Sequence, residues 1–295
     1  MELTAHARVG RYRLLSMVGT GRSCQVWDSI NDQNNDRRAL KILVESYAAQ
    51  RGQVALLKRE FAVGRELDHP QVIHIYDYQN HRGTVYLVME LFPAHNIKQF
   101  FLQVGVEGLA HYVPRIVEQS ATSLDYLHSH GWIHRDVKPD NFLMNREGTV
   151  KLIDFALAER PKGALGRLLP SRMKIQGTRS YMSPEQIRGR GVDQRSDIYS
   201  LACMLHELVA GKPPFTGSST QELLTKHLRN APPTLESAGR DVTSDFAELI
   251  RKMLAKKPAS RPQTMSDVLK SLRGMKVFNR TPSPPAASST AQKSK

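Results

Sequence analysis

The chain has 295 residues, 40% of them apolar, and 42 basic against 28 acidic side chains give a formal net charge of +14. That length holds one large domain or two lobes with real cores, no apolar run nears the ~20 residues that span a bilayer, and two cysteines make neither a disulfide framework nor a zinc site. The basic residues are scattered without interleaved aromatics, and no acidic residue follows Asp267, so a surface that favours acidic partners is expected and a nucleic-acid partner is not.

Met1 to Gly10 lack the apolar stretch of a secretory signal, and a cytoplasmic location is expected. Tyr12 to Val18 and Cys24 to Ile30 are β-rich runs joined by a glycine-bearing turn. Asn31 to Asp36 is a polar turn, and Ala39 to Val44 is the next strand. The spacing predicts a helix over Gly52 to Leu67, with Leu57, Glu60, Phe61 and Gly64 on one face. His69-Pro70 ends it. Ile73 to Tyr78 and Val85 to Leu91 complete a small antiparallel sheet with a single main helix.

From about Ala94 the pattern is mostly helical. Val113 to His130 carries apolar residues at helical spacing and stops at Gly131. Phe142 to Met144 and Val150 to Ile153 are short strands around a turn at Asn145 to Gly148. Ser196 to Val209 is apolar on nearly every side, which predicts a buried central helix, stopped at Gly211 to Pro214. Further helices reach about Gly274. The expected fold is α+β and two-lobed over residues 10–274, with a small sheet lobe at about 10–91 and a larger helical lobe at about 94–274. Residues 275–295 read as a disordered, basic tail rich in Pro and Ser.

The chemistry concentrates in His134-Arg135-Asp136-Val137-Lys138-Pro139-Asp140-Asn141, which sets a carboxylate, an ammonium and a carboxamide within six residues. Asp154 follows in Ile153-Asp154-Phe155. A base, a phosphate-binding cation and two oxygen ligands are what phosphoryl transfer from a Mg-nucleotide requires. The spacing resembles the catalytic and Mg-binding loops of protein kinases. With Met182-Ser183-Pro184-Glu185-Gln186 and the short linkers, the chain is most similar to the compact, bacterial-type eukaryotic-like serine/threonine kinases over about Tyr12 to Arg273.

The resemblance implies a site in a cleft between lobes. Val18, Gly19 and Gly21 would bring backbone close to the phosphates of ATP. Cys24 stands where the family has a third glycine; it reads as a tolerated substitution, with a redox-sensitive thiol as the alternative. Lys41 would contact the α- and β-phosphates, held by Glu60, because a lysine in an apolar strand needs a partner. Val26, Ala39 and Leu143 would enclose the adenine, Met89 would guard the back of the pocket, and Glu90 and Leu91 would meet the adenine edge. Asp136 would orient the substrate hydroxyl, Lys138 would neutralise the transferred phosphoryl, and Asn141 and Asp154 would hold Mg²⁺, with Mn²⁺ as an alternative. Lysine two residues after the aspartate resembles serine/threonine rather than tyrosine kinases.

Other residues are expected to support this machinery. His134 and Phe155 resemble members of an apolar stack between lobes. Gly64, four residues after Glu60, either leaves a gap in that stack, so that the inward helix depends on a partner, or is covered by neighbours. Ala156 replaces the usual glycine and should make a flipped loop less accessible. Thr178 should meet Asp136 and Lys138, Glu185 should pair with Arg261, and Asp197 should accept catalytic-loop amides. Arg135 suggests regulation through a phosphorylated residue. Ser171, the one hydroxyl between Glu159 and Gln176, is the candidate autophosphorylation site, by self-association in trans, the alternative being a loop already ordered without phosphate. Protein Ser/Thr hydroxyls are the expected acceptors. The alternatives are a pseudokinase scaffold, motivated by Cys24, Gly64 and Ala156, and a small-molecule kinase, which should lack Ser183-Pro184-Glu185 and Asp197.

Overall fold

Strand alternation organises the smaller lobe. The computed structural model describes residues 3–161, 177–236 and 241–283. Strands β1 (Arg8–Val9), β2 (Tyr12–Thr20), β3 (Cys24–Asn31), β4 (Arg37–Leu43), β5 (Ile75–His81) and β6 (Thr84–Met89) form one antiparallel sheet in the order β1-β2-β3-β4-β6-β5. Successive side chains point to opposite faces. Trp27, Leu40, Ile42, Tyr86 and Val88 therefore share the outer face, where they form an apolar cluster with Tyr12 and Leu14. On the inner face Val26 pairs with both Gly19 and Lys41, and Ala39 pairs with Met89. Parity alone thus brings Gly19, Val26, Ala39, Lys41 and Met89 to one surface.

A short helix α1 (Glu45–Ala48) leads into α2 (Arg51–Gly64), which buries Leu57, Glu60, Val63 and Gly64. Gly64 leaves no gap. A Cβ placed there would lie 2.4 Å from Ile75 Cδ1, so the isoleucine already occupies the space and the idea of a helix waiting for a partner is set aside.

The larger lobe contains β7 (His95–Asn96), α3 (Ile97–Ala110), α4 (Val113–Ser129), β8 (Phe142–Met144) and β9 (Val150–Leu152), followed by α5 (Pro184–Arg188), α6 (Arg195–Ala210), α7 (Thr220–Arg229), α8 (Ser244–Met253) and α9 (Met265–Leu272). The short strands pair in the order β7-β8-β9. Asn96 caps α3 in a reciprocal box with Gln99, and Gly105 breaks that helix with a φ of 69°. Every residue of α6 from Ser196 to Val209 is buried, as its all-round apolar sequence predicts, and Gly211 ends it in a left-handed C-cap. Among the described residues no helix is long and apolar enough to cross a membrane.

Residues 275–283, expected to open a disordered tail, pack against the larger lobe. Val277 is buried and its carbonyl accepts from Thr243 N at 3.0 Å. Asn279 N donates to Asp241 O and Arg280 N to Asp241 Oδ2, both at 3.0 Å. One apolar side chain and one aspartate thus hold a stretch whose composition alone reads as linker.

Candidate active site

Lys41 and Glu60 meet because β4 and α2 each turn one polar group into the apolar interior between them. Lys41 Nζ lies 2.7 Å from both Glu60 carboxylate oxygens and 3.5 Å from Asp154 Oδ1. Glu60 is 2% exposed, so the pair is removed from water and each charge depends on the other. Burial pushes the ammonium of Lys41 down, but Asp154 and Glu60 outweigh it and hold it above the usual lysine range. Burial pushes Glu60 up, only partly offset by Lys41. Burial also opposes ionisation of Asp154, yet the Lys41 charge and the Ala156 amide hold its carboxyl below the usual range.

The loop between α4 and β8 gathers the second group. Asp136 Oδ2 accepts from Lys138 Nζ at 2.7 Å and from Asn141 Nδ2 at 3.2 Å, and its Oδ1 accepts from Thr178 N at 2.9 Å. Asn141 Nδ2 also reaches the Asp136 carbonyl at 2.8 Å, which leaves its Oδ1 for a cation. Lys138 Nζ donates to Thr178 Oγ1 at 2.8 Å. The expected contact of Thr178 with both Asp136 and Lys138 is therefore present. A cleft of about 490 Å³ runs between the two groups, lined by Gly21, Lys41, Glu60, Asp136, Lys138 and Asp154, a size suited to a small-molecule ligand.

Two residues here have left-handed backbones, Arg135 at φ 69° and Asp154 at φ 67°. For non-glycine residues this costs about 1–3 kcal/mol each and persists where surroundings over-determine it. Asp197 supplies part of that restraint. Its Oδ2 accepts from His134 N and its Oδ1 from Arg135 N, both at 2.8 Å. Ala156 is not among the left-handed residues, so alanine carries no backbone penalty in this conformation. Phe155 is fully buried and meets the His134 ring edge-on at 6.0 Å.

Glu185 and Arg261 form the expected ion pair, bidentate at 2.7 and 2.9 Å, with the arginine side chain fully buried. Arg135 meets a carboxylate of the chain itself, Glu159, and Ser171 lies outside the described residues. Of the residues expected to enclose an adenine, Met89 is buried and Leu143 half-buried. The Glu90 N–H already donates to His74 O at 2.9 Å, and its side chain pairs with Lys151, which leaves its backbone carbonyl for a ligand. Val18 is exposed. Burial pushes the Cys24 thiol up, which lowers its thiolate fraction and agrees with a plain tolerated substitution at this position.

Sequence reasoning missed four supporting residues. His128 Nε2 lies 2.8 Å from Asp197 Oδ2, across a separation that no local pattern reports. Ser196 Oγ donates to Glu185 at 2.7 Å. Gln186 Nε2 donates to the Arg135 carbonyl at 2.8 Å, and Ser183-Pro184-Glu185-Gln186 carried a readable signal as a capping box. Glu159 also carried one, as the lone acid between Asp154 and Glu185.

The family model described as "Protein kinase domain" matches residues 12–272. Among curated proteins, the chain is 31% identical over 280 residues to "Serine/threonine-protein kinase PknA" of Mycobacterium tuberculosis, which covers 93% of this chain and 63% of that protein. It is 32% identical over 262 residues to "Serine/threonine-protein kinase PknB" of Mycolicibacterium smegmatis, covering 88% and 42%. It is 31% identical over 263 residues to "Probable serine/threonine-protein kinase SCO3848" of Streptomyces coelicolor, covering 88% and 39%. The matches thus extend over about two-fifths to three-fifths of these relatives' own lengths. With its fold, its paired Lys41 and Glu60 and its clustered Asp136, Lys138 and Asn141, the chain belongs to the protein kinase domain family.

Proposed function

We propose that the chain transfers the γ-phosphoryl group of ATP to serine and threonine hydroxyls of proteins. The observation that carries this reading is the cleft itself. Lys41, Glu60 and Asp154 face one side of it, and the Asp136–Lys138–Thr178 cluster faces the other. Glycine-loop backbone at Gly19 and Gly21 approaches the phosphates without a Cβ in the way. Lys41, kept extended by Glu60, pairs with the α- and β-phosphates. Asp136, its carboxylate oriented by Lys138, Asn141 and the Thr178 amide, accepts a hydrogen bond from the incoming hydroxyl.

In the reaction the acceptor oxygen bonds to Pγ as the bond from Pγ to the β–γ bridging oxygen breaks. The hydroxyl proton passes late to Asp136, and ADP leaves. Lys138 lies 2.7 Å from Asp136, where it neutralises charge on the moving phosphoryl. Such a loose transition state asks for positioning and charge rather than a strong base. Asn141 and Asp154 offer two oxygen donors, and among the described residues no cluster of three or more His, Cys, Asp or Glu could cage a metal. Asn141 and Asp154 would hold Mg²⁺, or Mn²⁺, which would supply charge neutralisation at the phosphates.

The preference for Ser and Thr rests on Lys138 and on the names of the similar proteins. A cytoplasmic setting and self-association for phosphorylation in trans are part of the same reading. The test is incubation with Mg²⁺ and γ-labelled ATP, followed by phosphoamino-acid analysis of a protein acceptor and of the chain itself. Label in phosphoserine and phosphothreonine, absent with Asp136→Asn, is expected. Folded protein that binds nucleotide but moves no label would instead mark a scaffold.

A further inference from the structure

Arg135 precedes Asp136 and is held on every side. Its N–H donates to Asp197 Oδ1 and its carbonyl accepts from Gln186 Nε2, each at 2.8 Å. Its guanidinium, 8% exposed, forms an ion pair with Glu159. Glu159 is itself anchored, because its N–H and carbonyl exchange two backbone hydrogen bonds of 2.9 Å with Ile133. The two side chains therefore close a small ring, Ile133 to Arg135 to Glu159 and back, with the catalytic-loop backbone as one edge.

A buried guanidinium requires a counter-charge. In phosphorylation-switched enzymes that anion arrives as a phosphate, which orders a segment by pairing with arginine. Here a carboxylate of the chain already fills that role. Glu159 is the lone acid between Asp154 and Glu185, in a stretch that also carries Arg160, Lys162, Arg167, Arg172 and Lys174. A phosphate brought to Arg135 would meet the like charge of Glu159.

We propose that Glu159 is a positioning residue that takes the place of an activating phosphate, holding Arg135, and through it Asp136, in the productive arrangement without phosphorylation. The inference rests on the kinase reading and adds a mode of regulation to it: this chain is constitutively assembled at the catalytic loop.

The test combines kinetics with hydrogen exchange. Phosphatase-treated protein, shown phosphate-free by intact mass, should phosphorylate a peptide without a lag, at a rate within about twofold of protein pre-incubated with ATP. Glu159→Gln should lower kcat about tenfold, equivalent to ~1.4 kcal/mol, with KM for ATP changed less than about twofold. Glu159→Asp, which keeps the charge, should recover a substantial part of the loss. Amides of residues 133–138 should exchange about tenfold faster in Glu159→Gln, with those of the buried central helix unchanged. A lag removed by pre-incubation, or a Glu159→Gln protein with unaltered kcat and unaltered exchange, would overturn the proposal. If the wild-type chain transfers no phosphate, the kinase reading fails by itself, and the exchange measurement still decides whether Glu159 clamps the loop.

Discussion

Arg261→Ala is expected to unfold this protein at far milder conditions while touching nothing in the cleft. Arg261 gives two hydrogen bonds to Glu185, one to Ala255 O at 2.7 Å and one to Arg195 O at 2.8 Å. Its guanidinium also lies 4.9 Å from the Tyr199 ring centroid. Truncation leaves Glu185 buried, with Ser196 Oγ as its remaining side-chain donor. Breaking a buried pair from one side costs about 3–5 kcal/mol, and each orphaned carbonyl adds about 1 kcal/mol. A total of roughly 5–7 kcal/mol is a large part of the ~5–15 kcal/mol that a domain has. At ~2–4 °C per kcal/mol for a chain near this size, Tm should fall by roughly 10–30 °C. Thermal and urea unfolding of the wild type, Arg261→Ala and the double variant Glu185→Leu/Arg261→Met provide the measurement. The double variant removes both charges and fills the space, so it should recover most of the loss. A single variant within about 1 kcal/mol of wild type, or a double variant no better than the single, would refute this reasoning.

Three further outcomes are expected. Burial and the nearby charge of Lys256 push His227 down to about 4. An unfolded histidine titrates near ~6.5, so the unfolded chain binds the proton first. The stabilising effect is full above about pH 6.5 and is lost as pH falls toward 4, by up to ~3 kcal/mol; urea midpoints measured across that range should show the slope, and His227→Gln should flatten it. Gly64→Ala should cost about 1–3 kcal/mol by overpacking Ile75, and adding Ile75→Val should return part of it in the same unfolding assay. Lys41→Met should leave Glu60 buried without its counter-ion and weaken Mg-ATP binding at least tenfold by calorimetry, and unchanged affinity would remove Lys41 from the phosphate site.

The readable features of the sequence were those that act locally. Helical spacing put Glu60 on the buried stripe of α2, and a lysine in an apolar strand needs a partner, so the 2.7 Å contact of Lys41 with Glu60 followed from the sequence, whereas Val26 and Ala39 were placed by the resemblance and share the face of Lys41 through the strand register. The eight residues from His134 to Asn141 carried their chemistry in plain order. Relations set by packing between distant segments were hidden. Asp197 was expected to hold the catalytic loop, but its third contact, His128, depends on how α4 crosses α6. Ile75 filling the place beside Gly64 is likewise a product of side-chain packing. Arg135 was read for the phosphate it could bind, whereas Glu159, five residues beyond Asp154, supplies the charge. Val277 and Asp241 ordered the start of the tail because a single buried apolar side chain and a few hydrogen bonds outweigh a composition that favours disorder.

The central claim is that Asp136 serves the transfer step while Lys41, Asn141 and Asp154 serve nucleotide binding. Its most direct test is to measure Mg-ATP affinity and kcat separately for wild type and Asp136→Asn. The amide keeps the size of the side chain but cannot take a proton from the acceptor. Affinity within about threefold and a kcat lowered at least ~10³-fold, about 4 kcal/mol of transition-state stabilisation, is the expected result. Asp136→Asn protein that phosphorylates its substrate at the wild-type rate would contradict it.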